Sequence, residues 1–344
     1  MKQSPLHAVH ESANAAFTDI DGWSLPAHHG DTPANEEQQA RTGAGLIDLC
    51  STATVVLVGP DARRFCNGMF TNNIRDLEPG QVNRSAMCDD RGRVHGLIDV
   101  YCTEPDRFEI VLEGVSAEWF EERYALYIVF DDVNLSTSDS SPWILSLQGP
   151  RAAEILTSAG LPTPNHGHHI QTESGIRVGT KDRTGLGGFD LLVPTALVET
   201  TWATVLAAGA CAMGHATMED LRIRSGRARW PVDGTERSLI HELRLSQEVC
   251  NFNKGCYLGQ EVINRVDVKG QVTKTLERLI FPREAPAIGA PVLLDGKTIG
   301  TISSVTHGAH DSVALAVLRK AAQDALEVQI ETPNGTVSGT IQRS

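Results

Sequence analysis

The sequence predicts an α+β protein: two related ferredoxin-like units followed by a small antiparallel β-barrel or sandwich. Three observations carry this expectation. From residue 53 onward, short apolar runs rich in β-branched residues alternate with helical spacing. The same order of elements, with the same Gly-Pro break, returns ninety residues later, Gly59-Pro60 against Gly149-Pro150. After Pro282 helical spacing gives out and short strands with hairpin signals take over.

The elements follow in order. Ala53 to Val58 reads as a buried strand, and Gly59-Pro60 stops it. Asp61 to Phe70 reads as a helix with proline at its start. Val94 to Cys102 and Phe108 to Leu112 are strands joined by Glu104-Pro105-Asp106, a turn sequence. Val115 to Tyr127 is a helix whose Trp119, Phe120, Tyr124 and Tyr127 are read as core. The second copy begins with the strand Ile144 to Leu147, the Gly149-Pro150 break and the helix Arg151 to Ser158. Phe189 to Val193 then matches Phe108 to Leu112, and a Trp-bearing helix follows each, with Trp202 answering Trp119. The repeat therefore covers residues near 53–130 and 143–215. In the tail, Val292 to Leu294, Thr298 to Val305, Ser312 to Leu318, Leu326 to Glu331 and Thr336 to Gln342 are strands. Asp295-Gly296 and Asn334-Gly335 supply hairpin turns, and Arg319 to Ala325 a helical turn. The expected division is 1–275, holding both repeats, and 276–344, the barrel.

A length of 344 residues suits two or three domains and buries a core without disulfides or metals. Thirty basic against 43 acidic residues leave a net charge of −13, which excludes a general binder of nucleic acid or anionic membrane. No apolar run approaches a membrane span, and the N-terminal residues lack the charged-then-apolar order of a signal peptide. The expectation is a cytoplasmic, monomeric protein. Seven cysteines, odd in number and scattered, form no CxxC pair, so free thiols are expected rather than a disulfide framework or zinc knuckle. His166, His168 and His169 lie in a Pro/Asn/Gly-rich stretch that reads as a solvated loop, and no metal site is assigned. Gly185, Gly187 and Gly188 make no dinucleotide fingerprint.

Chemistry concentrates in Asn253 to Val262, where two glycines bracket Cys256, Lys254 precedes it and a helix is expected to begin near Leu258 or Gly259. A thiol at a helix N-terminus beside a cation has its thiolate stabilised by both fields, which makes Cys256 a candidate nucleophile, soft ligand or redox thiol. A buried cysteine in a glycine-rich turn is the alternative from chemistry alone.

This KGCYLGQE segment resembles the signature of the YgfZ family, folate-binding proteins of iron–sulfur cluster maintenance and relatives of the glycine-cleavage T protein (GcvT), an aminomethyltransferase. The likeness extends over nearly the whole chain, through Gly22 to Pro26, Gly45 to Asp48, Gly59 to Ala62, Thr71 to Ile74, Leu77 to Gly80, Gln148 to Pro150, Thr184-Gly185 with Gly188 to Asp190, and Leu221 to Ile223. It implies a three-lobed ring, two GcvT-type α+β lobes and a C-terminal barrel around a central channel. It also implies binding of tetrahydrofolate or a one-carbon derivative, and support of iron–sulfur assembly or repair in client enzymes, tRNA-modifying ones included. The partners implied are folate and iron–sulfur client or assembly proteins. Asp190 stands where the T-protein pattern holds the pterin edge with a Glu, and Arg222 lies near the folate in the family. Trp230 sits where an aromatic stacks on the pterin. Lys254, Cys256, Gln260 and Glu261 form the family-specific site. As readings without the family, Asp190 is a strand-end surface residue, Arg222 a helix salt-bridge partner and Trp230 core.

Two departures bear on activity. The T protein carries an Asp pair where this chain has Gly96 and Leu97, with Asp99 further along and His95 a weaker substitute base. A Tyr usual before the Thr-Gly pair is Arg183 here. These departures favour a folate scaffold without ordinary glycine cleavage. The rival readings are a folate-dependent aminomethyltransferase or demethylase, and an assembly module that no longer binds folate.

Overall fold

The computed structural model describes residues 1–344 apart from 31, 138–141, 271, 283–285, 309–310, 333–334 and 344. They form two compact units, each assembled from several stretches of chain: Met1–Cys66, Ile74–Asn83 and Ile98–Leu221 in one, Asn67–Asn73, Arg84–Leu97 and Arg222–Ser344 in the other.

The repeat is visible as strand order. A five-stranded sheet runs Val82–Cys88, Val94–Glu104, Arg107–Glu113, Thr54–Val58, Asn134–Ser136. A six-stranded sheet runs His169–Gln171, Arg177–Thr180, Gly188–Val193, Trp143–Gln148, Gly45–Asp48, Cys211–Ala212. The two orders correspond, except that Gly45–Asp48 is inserted in the second. The Gly-Pro breaks are equivalent in conformation. Gly59 and Gly149 have φ of +142° and +147°, and a Cβ on either would sit 2.2 Å from the Asp132 carbonyl oxygen or 2.4 Å from that of Gly43. Only glycine accepts both the torsion and the contact, so each break is a steric requirement. Helices Ala62–Met69 and Ala152–Ser158 follow these turns, and Ala117–Ala125 and Val198–Ala207 complete the two copies. Ser116 starts the third of these by accepting a hydrogen bond from the Trp119 amide at 3.1 Å. Phe120 and Tyr124 are core as expected, whereas Trp119 and Tyr127 are only half-buried.

Within the first unit the two sheets meet face to face. Tyr101 and Val111 from one pack with Ile47, Ile144 and Leu192 from the other. Ion pairs flank this apolar middle: Arg177 to Glu109, and Lys181 to Asp99 at 2.6 Å.

In the second unit the tail forms a closed six-stranded antiparallel barrel, not a sandwich. Its strands are Lys274–Phe281, Ser312–Arg319, Lys297–His307, Pro291–Leu294, Glu327–Thr332 and Gly335–Gln342. Lys274–Phe281, which the sequence reading does not name, pairs with both Ser312–Arg319 and Gly335–Gln342 and so closes the ring. Asp295 and Gly296 both have positive φ, 51° and 73°, as a two-residue hairpin turn demands. At the other expected turn, Asn334 lies outside the described residues. A second core gathers Trp230, Ile240, Leu243, Tyr257 and Ile263 with Val94 and Leu97.

Candidate functional site

Asp190 lies in the middle of Gly188–Val193, opposite Ser146 on one side and Gly179 on the other. It is fully buried, not a strand-end surface residue. Both carboxylate oxygens are engaged: Oδ1 accepts from Ser146 Oγ at 2.7 Å and Arg183 Nε at 3.0 Å, and Oδ2 from Arg183 Nη2 at 2.6 Å. Gln148 completes the group. Its Nε2 donates to Ser146 Oγ and the Lys181 carbonyl, and its Oε1 accepts from the Arg183 amide. Burial opposes charge on Arg183, but Asp190 outweighs it and holds the guanidinium firmly protonated. Next in the same layer, Lys181 Nζ lies 2.6 Å from Asp99 and 3.9 Å from Glu113. Tyr101 has its phenol pushed well above the ordinary range, first by burial and then by Asp190 and Asp99. The result is a buried to half-buried set in the first unit: two cations, Lys181 and Arg183, in the turn after Arg177–Thr180, and three carboxylates, Asp99, Glu113 and Asp190, on strands.

Arg222 and Trp230 belong to the second unit. Arg222 lies in the last turn of helix His215–Arg224. It donates to Asp233 Oδ2 at 2.7 Å, to the Arg227 carbonyl at 2.7 Å and to Ser304 Oγ at 2.9 Å. Asp233 in turn accepts from Ser303 and Ser304 of the barrel. The guanidinium thus ties the helix end to a barrel strand, as a salt-bridge partner. Trp230 is core, and its indole N–H donates to the His95 carbonyl at 2.9 Å. Gly96 and Leu97 are buried, Leu97 within the apolar core of this unit, so neither position offers a carboxylate.

The KGCYLGQE loop is also in the second unit. Lys254 is buried, and its ammonium donates to the carbonyls of Asn67, Phe70 and Asn72 at 2.7, 2.7 and 2.6 Å. Two of those carbonyls are at the C-terminal end of helix Ala62–Met69 and the stretch just after it, where a cation is favoured. Tyr257 packs with its ring 5.0 Å from that ammonium. Gly259, at φ +84°, lies so close to Asp89 that a Cβ would be 2.6 Å from its carbonyl oxygen. The helix then runs Gln260–Lys269, with Gln260 half-buried and Glu261 exposed at its start. The loop is therefore pinned on both sides, and Cys256 is left exposed between the pins. The cation two residues before it is turned inward onto backbone carbonyls, because a buried ammonium needs acceptors and the 67–72 segment supplies three. Of the seven cysteines Cys256 is the exposed one; burial pushes Cys250 up to about 12 and Cys211 up to about 11.

His169 is buried, with Nε2 3.0 Å from the Cys102 carbonyl, while His168 is exposed. Among the described residues no three His, Cys, Asp or Glu side chains are grouped to hold a metal ion. The reading from sequence passes over Lys181, Glu113 and Ser146. Alternation along Arg177, Gly179 and Lys181 is the signal that places the ammonium on the Asp190 face.

Residues 6–254 match the GCVT N-terminal domain. The chain belongs to that family. An aminomethyltransferase of Herpetosiphon aurantiacus is 28% identical over 315 residues, 88% of this chain and 86% of that protein. One of Cupriavidus necator is 30% identical over 248 residues, 66% of this chain and 65% of its own length. In structure, the glycine cleavage system aminomethyltransferase T of Bartonella henselae superposes with a TM-score of 0.90 at 20% identity, covering 99% of this chain and 97% of that one. The GCVT-type fold thus accounts for both repeats and the barrel.

Proposed function

We propose that this chain binds a reduced folate, tetrahydrofolate or a one-carbon derivative, and handles the carried carbon as a protein of aminomethyltransferase type. The observation that supports this is extent: proteins named aminomethyltransferase align with 88% of the chain at 28% identity. The fit of a pterin to Asp190 is a separate matter. A carboxylate takes a pterin edge with open lone pairs, and here Arg183 and Ser146 fill both oxygens. In this arrangement Asp190 does not fit the pterin. The test is a titration with tetrahydrofolate read by tryptophan fluorescence, followed by turnover with a lipoyl-bound aminomethyl donor. Saturable binding with methylene transfer supports the reading. Absence of saturable binding at millimolar ligand defeats it.

A second reading, a YgfZ-like role in iron–sulfur assembly or repair, is favoured by one observation. The pinned KGCYLGQE loop holds Cys256 out to solvent, while Gly96 and Leu97 supply no acid–base group. On this reading folate binds without methylene transfer, and Cys256→Ser loses support of iron–sulfur enzymes in a deletion strain. Full restoration by the serine variant defeats it.

A further inference from the structure

We infer that Arg183 is a built-in occupant of the Asp190 carboxylate that competes with the pterin edge of folate and thereby sets the chain's affinity for it; this rests on the folate reading above. The argument is one of shared chemistry. The N3–H and 2-amino group of a 2-amino-4-oxopterin are two adjacent N–H donors on an acylguanidine, and an arginine fork presents the same pair. Arg183 uses that pair, Nε and Nη2, at 3.0 and 2.6 Å from the two Asp190 oxygens. The internal donor carries a full charge, whereas the pterin is neutral. It is also tethered. The Arg183 amide is fixed to Gln148 Oε1 at 2.8 Å, and Asp182 Oδ1 accepts from the Thr184 and Gly185 amides, which holds the turn behind it. A tethered cation outcompetes a dissolved neutral donor for the same acceptor.

Exposure separates the two groups. Asp190 has none, whereas the Arg183 side chain keeps 13%. Of the pair only Arg183 meets solvent, and it holds both carboxylate oxygens. Arg183 is thus a specificity-determining residue, and Asp190 serves Arg183 until Arg183 is removed.

The test is a double-mutant cycle on the full chain, with tetrahydrofolate as ligand and calorimetry as readout. Asp190→Asn is expected to change wild-type affinity less than twofold, because the carboxylate is not yet available to ligand. Arg183→Met is expected to tighten binding at least tenfold, and Arg183→Met with Asp190→Asn to lose that gain. A second readout uses bare pterin against lumazine, which lacks the 2-amino donor: Arg183→Met prefers pterin at least fivefold, the wild type less than twofold. Since Arg183→Met leaves a buried carboxylate, Arg183→Tyr is measured beside it and each variant is checked by thermal unfolding. If Asp190→Asn weakens the wild type tenfold and neither Arg183 variant binds more tightly, the inference falls while the folate reading stands. If no variant binds folate saturably, both fall.

Discussion

Lys254→Met isolates what the lysine of the KGCYLGQE loop does. The ammonium makes three hydrogen bonds to carbonyls at 2.6–2.7 Å in a buried setting. Methionine keeps the length of the stem and removes every donor, leaving three carbonyls short of a partner. Charged hydrogen bonds contribute about 1.5–3 kcal/mol each, and their losses do not add fully. A total of about 3–5 kcal/mol is expected, in line with breaking a buried charged contact. At about 2–4 °C per kcal/mol for a unit of this size, the melting temperature should fall by about 6–20 °C. Differential scanning calorimetry reads the temperature. Hydrogen exchange reads the location, because the Leu258 amide, bonded to the Gly68 carbonyl at 3.0 Å, should lose protection before the barrel does. Iodoacetamide labelling of Cys256 separates a clamp from an electrostatic activator: loosening a clamp leaves the rate unchanged or raises it, whereas removing an activating cation slows it. A melting temperature within 2 °C of wild type, or labelling slowed severalfold at unchanged stability, would refute the clamp.

Three other outcomes follow from the same structure. In the wild type, Cys256 should react with iodoacetamide at pH 7 ahead of the other six thiols, and Cys256→Ser should remove the fast phase; a fast phase that survives the substitution assigns it elsewhere. Burial pushes His169 down to about 4, below the ordinary value near 6.5, so the unfolded chain binds the extra proton between those limits. Stability from this group is present above about pH 6.5 and is lost as the pH falls towards 4, up to about 3 kcal/mol; urea midpoints should show that His169→Gln flattens this slope, and parallel slopes would sink the idea. Gly149→Ala should destabilise by several kcal/mol, roughly as Gly59→Ala does, since each puts a methyl within 2.4 Å of a carbonyl oxygen; an alanine variant that melts normally would remove the steric account of the repeat's breaks.

Local patterns made the repeats and the barrel legible. The run TVVLV, the Gly-Pro break and the Asp-Gly hairpin each encode their own geometry within a few residues. Gly45–Asp48 was not legible as a member of the second sheet, because its partners, Trp143–Gln148 and Cys211–Ala212, are remote in sequence and its side chains are buried in either pairing. The site followed the same division. Cys256 and its glycines form one contiguous signal. The engagement of Asp190 by Arg183 depends on a turn between two strands bringing a cation back over its neighbour, and the substitution of Arg for Tyr was visible while its partner was not. Arg222 and Trp230 carry the residue types a folate site would use, yet Asp233 and the His95 carbonyl already hold their polar atoms. Residue type alone does not distinguish a hydrogen bond made to a ligand from one made inside the core.

The inserted strand Gly45–Asp48 has a consequence for the order in which the molecule can be made. It is synthesised early, yet it pairs with Trp143–Gln148 and Cys211–Ala212, the second of which follows about 165 residues later. At roughly 5–20 residues per second, that interval is on the order of 10 to 30 s on the ribosome. Until Trp143–Gln148 emerges, about 95 residues after it, Leu46 and Ile47, both fully buried in the finished fold, have no strand to join, and the edge that takes Cys211–Ala212 stays open for the whole interval. The first repeat can condense as it emerges, but the second sheet is complete only when its youngest strand pairs with its oldest. Nascent chains should therefore be most vulnerable to aggregation and chaperone capture before residue 212 has emerged, and slowing elongation beyond that point should matter far less than slowing it before.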